Sequence, residues 1–151
     1  MTTSAPMFSI RLPDMQRWVN YMSLVLVALS GVLWYLMHDL LQWGWMVTER
    51  RLLITHGVAA AISLIVVGGL LPLHIRLAWR TRRNLVSGLV TLLLMALLGV
   101  SGLLLYYSGE DWREGVRWLH LGVGLIGVLA MPAHVWVGRY RQVQMTAQRT
   151  L

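Results

Sequence analysis

The stretch LLITHGVAAAISLIVVGGLLPLHI, residues 52–75, decides the fold. It carries no Asp, Glu, Lys or Arg, and it exceeds the roughly 20 apolar residues that a helix needs to cross a hydrocarbon core. Three further stretches, 19–37, 85–107 and 116–137, have the same character, and Arg117 is the one charge within the last three of the four. Hydrocarbon offers no water to backbone amides, so each stretch must pair its own backbone and is read as an α-helix. A soluble helical core would leave a charged face on each helix, and no span shows one. The expected fold is therefore all-α: an integral membrane four-helix bundle, up-down-up-down.

Composition agrees with this. The chain is 57% hydrophobic and only 13% charged, far from the usage of soluble domains. All 13 basic residues are arginine. The net charge of +7 does not imply nucleic acid, because the arginines sit between apolar runs and form no single basic face. The absence of cysteine excludes a disulfide, a thiolate metal site, an iron–sulfur cluster and a thioether-linked haem.

Arginine placement sets the expected orientation. Arg11, Arg17, Arg76, Arg80, Arg82, Arg83, Arg139, Arg141 and Arg149 fall on one side of the four spans. Arg50, Arg51, Arg113 and Arg117 fall on the other, diluted by Asp39, Glu49, Glu110, Asp111 and Glu114. The nine-to-four split places both termini in the cytoplasm. Residues 1–17 then form a cytoplasmic N-terminal tail, 18–139 the membrane domain and 140–151 a cytoplasmic C-terminal tail. The early residues are too poor in apolar side chains for a cleaved signal, and no small-residue cleavage site follows the first run. Trp43, Trp45 and Trp112 belong to an outer aromatic belt, Trp79 and Trp136 to an inner one.

The two halves echo each other. ALSGVLWYL (28–36) resembles GVSGLLLYY (99–107), and Pro72-Leu73-His74-Ile75 has its counterpart in Pro132-Ala133-His134-Val135. A two-helix unit repeated once, about an axis along the membrane normal, describes both. A proline two residues before each histidine removes a backbone hydrogen bond and is expected to bend the helix there.

Ionisable residues inside membrane spans are costly and point to function. Of the five histidines, His56 and His74 lie on the second span, His120 and His134 on the fourth. A separation of 18 residues is five full turns, about 27 Å on one helix face; a separation of 14 is nearly four turns, about 21 Å. The second and fourth spans run in the same direction, so His56 pairs with His120 at the outer level and His74 with His134 at the inner level. The unequal spacing leaves about 6 Å of rise to be taken up by tilt or bending. Facing neutral imidazoles are what six-coordinate haem iron needs, one from each side of the porphyrin. Small residues one and two turns from the ligands would leave room for the flat ring: Ala60 and Ser63 from His56, Gly124 and Gly127 from His120. Ser30-Gly31 and Ser101-Gly102 add small residues on the other two helices. Arg76 and Arg117 are candidates to pair with haem propionates near the two surfaces, as are Arg50, Arg51, Arg80 and Arg139.

Plainer readings stand beside these. Small residues in membrane helices ordinarily serve packing, and loop arginines ordinarily set topology. His38, beside Asp39, reads as an interfacial histidine, with replacement of an outer ligand as the other use. Structural zinc wants about four ligands together, where the spacing gives two and two. A proton relay would want intramembrane carboxylates, which the spans lack.

With WLHLGVGLIGVLAMPAHVW (118–136) and a second histidine-bearing helix of the same direction, the chain resembles the bacterial di-haem b-type membrane cytochromes. These include small cytochrome b five-sixty-one-like proteins and the cytochrome b subunits of membrane-bound hydrogenases and formate dehydrogenases. The resemblance covers about 19–139. It implies two non-covalent, bis-histidine haem b groups in the bacterial inner membrane and electron transfer between the quinone pool and a periplasmic dehydrogenase or cytochrome subunit. His120 and His134 match the family's spaced pair. His56 and His74 fill the partner role with a spacing of 18 that departs from it. Short loops leave no room for a catalytic domain of its own. The alternatives are a haem-free membrane assembly subunit and a stand-alone superoxide-oxidising cytochrome b.

Overall fold

A computed structural model describes residues 14–82 and 84–149. The first 13 residues, with Arg11 and Pro13 of the expected tail, lie outside the described residues, as do Arg83 and the last two residues. The chain is all-α. Helix α1 spans Asp14–Tyr35 and continues into a π-helical turn, Leu36–Leu40; α2 spans Met46–Thr81, α3 Leu85–Tyr107 and α4 Glu110–Arg149. No strand occurs among the described residues. All four helices are long and apolar enough to cross a membrane, which makes this a multi-pass membrane protein by length and composition.

The helices outrun the apolar spans. With 36 residues α2 rises about 54 Å, against about 30 Å of hydrocarbon. Helix α1 starts at Asp14, inside the segment read as a tail, and α4 runs on to Arg149 through the other. The bilayer edge does not stop a helix; only a breaker does, and no glycine or proline follows Gly138 in α4. Pro72 and Pro132 both lie within unbroken helices.

Chemistry at the turns explains the ends that do occur. After the π-helical turn, where Leu41 N donates to Leu36 O at 2.8 Å, Gln42 (φ 47°) and Gly44 (φ 65°) reverse the chain in left-handed conformations. Arg82 (φ 53°) and Asn84 (φ 51°) do the same between α2 and α3, and asparagine is among the residues that tolerate this region. Ser108 leaves α3 in an extended conformation, and α4 opens on Glu110 and Asp111, where the positive end of the helix dipole favours carboxylates.

The chain divides into two compact units, 1–70 and 71–151, with the boundary inside α2 between Gly69 and Pro72. In the first unit α1 and the first part of α2 are antiparallel. Ser63 Oγ donates to Ser23 Oγ at 2.9 Å, and Ser23 Oγ passes its own proton to Asn20 O at 3.0 Å. In the second unit α3 and α4 are antiparallel, with Leu98 against the backbone of Gly124 and Gly127. Both units invert a soluble core. Ser23, Ser30, Ser63 and Ser101 are buried, while leucines and valines such as Leu93, Val100 and Leu103 face outward. Lipid removes the drive to bury apolar side chains, so helices meet through small residues and hydroxyls instead.

That inversion can be measured. Ser63→Ala removes one interhelical hydrogen bond, worth about 0.6 kcal/mol on average in membranes. Ser63→Leu overfills a site that is 3% exposed, at a cost of about 1–3 kcal/mol. Unfolding of the detergent-solubilised protein should rank Leu well below Ala; equal effects would mean that the α1–α2 contact is not closely packed.

Candidate functional site

Each antiparallel pair of helices holds histidines against serines of the preceding helix. In the first unit His56 Nδ1 lies 2.9 Å from Val27 O and 3.3 Å from Ser30 Oγ. In the second His120 Nδ1 lies 2.8 Å from Ser101 Oγ, and His134 Nδ1 lies 3.1 Å from Ser87 Oγ. All three histidines reach across to a serine on the preceding helix.

The glycine after each serine completes the arrangement. A Cβ on Gly31 would stand 3.0 Å from His56 Cε1; on Gly102 it would stand 3.6 Å from His120 Cε1, and on Gly88 3.7 Å from His134 Cε1. Ser-Gly is thus a two-residue platform. The hydroxyl meets Nδ1, and at Gly31 the missing side chain lets the ring lie close to the helix.

Helix geometry explains why the contacts recur. Ser87 and Ser101 are 14 residues apart on α3, the same separation as His120 and His134 on α4. In an antiparallel pair an equal step on both helices keeps the register, and 14 residues is close to four whole turns. The first unit obeys the same rule over seven residues. Moving from Ser23 to Ser30 on α1 accompanies the move from Ser63 back to His56 on α2.

His74 meets His134 inside the second unit. Their ring centroids are 6.1 Å apart with 70° between the planes, so the two histidines that follow the Pro-x-His prolines do come together. Ser63 is engaged with Ser23. Ala60 is half-buried while its neighbour Ala59 is buried. Gly124 and Gly127 would present Cβ atoms 3.8 and 3.5 Å from Leu98, which is ordinary helix packing. The guanidinium of Arg117 sits over the Trp118 ring at 4.7 Å, and Arg76 is exposed. His38 stacks on Trp34 at 4.5 Å, and its Nδ1–H donates to Glu49 Oε2 at 2.9 Å. That ring is committed to an ion-pair contact at the end of the first unit.

Sequence reading counted Ser30 and Ser101 as merely small and passed over Ser87-Gly88. The available signal was the dipeptide itself, which occurs at 30–31, 87–88 and 101–102 within helices and once more at 108–109 in a turn. No group of three or more His, Cys, Asp or Glu is gathered among the described residues. The chain matches no family model, no curated protein and no solved structure.

Replacing the glycines separates two opposing effects. Alanine in a helix gains about 1 kcal/mol over glycine, and overpacking costs about 1–3 kcal/mol. Gly102→Ala and Gly88→Ala, with room for a methyl, should leave thermal stability unchanged or raised. Gly31→Ala should lower it, because His56 must move. Circular dichroism melts of the three variants decide, and a raised melting temperature for Gly31→Ala would contradict the placement of His56.

Proposed function

We propose that this chain is a membrane cytochrome b subunit that carries electrons across a bacterial inner membrane, holding two haem b groups between histidine pairs. The observation that carries the proposal is the pairing of His74 with His134. Two imidazoles on opposite sides of one metal ion, each bound through a nitrogen at about 2 Å, have centroids about 6 Å apart. The separation here is 6.1 Å.

The donor set fits the group. An imidazole that donates Nδ1–H is neutral and would ligate through Nε2, the arrangement found at metal-bound histidines generally. Val27 O can only accept, so His56 carries its proton on Nδ1. Ser101 and Ser87 take the same part toward His120 and His134. Assignment of His56 and His120 to the second haem rests on their matching platforms and on the spacing of histidines along α2 and α4.

A bound haem b supplies a one-electron couple. The chain's residues provide two ligands for each group, hold the imidazoles in one tautomer and surround them with apolar helix. Arg76 and Arg117 are the proposed partners of propionates. The arginine distribution supports a cytoplasmic location for both termini. Quinone or quinol in the lipid phase and a periplasmic dehydrogenase or cytochrome subunit are the proposed redox partners. One observation favours the rival reading of a haem-free assembly subunit: Gly124 and Gly127, offered as room for a porphyrin, pack on Leu98.

Haem content separates the two. A pyridine haemochrome assay on the purified full-length protein should give about two haems per chain, and His134→Ala and His120→Ala should each remove one. A colourless preparation would support the assembly subunit, and retention of both haems in both variants would overturn the ligand assignment.

A further inference from the structure

We infer that Ser30, Ser87 and Ser101 are positioning residues that tune the histidine ligands, an inference that rests on the haem reading above. Each serine has one proton and an acceptor for it on its own helix. Ser101 Oγ donates to Leu97 O at 2.6 Å, Ser30 Oγ to Leu26 O at 2.5 Å, and Ser87 Oγ to Asn84 O at 3.3 Å. Back-bonding of this kind is the usual fate of a serine inside a helix. A hydroxyl whose proton is committed can offer the next group only a lone pair. It therefore accepts from Nδ1–H of His120, His56 and His134, at 2.8, 3.3 and 3.1 Å.

Two consequences follow. The tautomer is set by the preceding helix, which leaves Nε2 as the ligating nitrogen. The ring also becomes more electron-rich, because a hydrogen bond accepted from Nδ1–H raises the basicity of the opposite nitrogen. A more basic axial ligand stabilises ferric over ferrous iron, so these hydroxyls hold the midpoint potentials down. Ser30 acts through His56, Ser101 through His120 and Ser87 through His134. His56 also donates to Val27 O at 2.9 Å, and that bond survives loss of the hydroxyl. Ser101 should thus matter more than Ser30.

Redox potentiometry of the full-length holoprotein, followed by absorption and low-temperature EPR, tests this. Ser101→Ala should raise the midpoint of one haem component and leave the other in place. Ser87→Ala should raise the other component, and Ser30→Ala should produce a smaller shift than Ser101→Ala. Ser101→Thr and Ser87→Thr keep a hydroxyl that back-bonds in the same way and should hold wild-type potentials. Should Ser101→Ala lose its haem altogether, retention by Ser101→Thr still assigns the role to the hydroxyl, and loss from both overturns it. Full haem content with unshifted potentials, or the same shift from all three alanine variants, overturns the inference while leaving the haem reading intact. A wild-type protein without haem overturns both.

Discussion

The structure depends on one interaction, a histidine Nδ1–H reaching across an antiparallel helix pair to an oxygen of the neighbouring helix. In lipid there is no water to take its place. Such a bond contributes little net stability, about 0.6 kcal/mol on average for membrane side-chain pairs. Leaving a polar group unpaired in hydrocarbon costs several kcal/mol. The difference between these figures means that the bonds specify register more than they add stability. A slip of one residue between α3 and α4 would strand His120 and His134 together, because both depend on the same 14-residue step.

The rest of the packing follows from that constraint. A serine hydroxyl stands opposite the rings of His56, His120 and His134, and at Gly31 the ring lies so close that a side chain would displace it. The buried residues among those described are Ser23, Ser30, Ser63 and Ser101 together with Met37, Ala59 and Val116. Bulky leucines and valines turn outward, where lipid accepts them without cost. The π-helical turn at Leu36–Leu40 belongs to the same logic, since it lies beyond the Ser30 platform and carries His38 to Glu49 at the end of α1.

Much of this was legible in the sequence because the bilayer restricts what an apolar run can do. Residues 85–107, read as the third span, coincide with α3. The 14-residue step between His120 and His134 was visible, and so was the repetition of Ser-Gly between the two halves. Less legible was what the small residues do. Gly124 and Gly127 lie where the 3.6-residue period puts them, but that period does not say whether the facing surface is a porphyrin or Leu98. Ser87 escaped notice because a serine near a helix start reads as a cap, and only the pairing of α3 with α4 reveals its contact with His134. Glu49 escaped for a similar reason. Its partner is 11 residues back, across a turn whose left-handed residues at Gln42 and Gly44 no apolar periodicity encodes.

We propose that paired neutral imidazoles, held through Nδ1, would be the ligands of haem iron. Low-temperature EPR of the oxidised, as-isolated protein tests it most directly. Two low-spin ferric signals, with no high-spin component and no change on addition of an exogenous ligand, are the expected result. A high-spin signal would show an open axial position, and the absence of any haem signal from correctly folded protein would show that the histidines serve the helices alone.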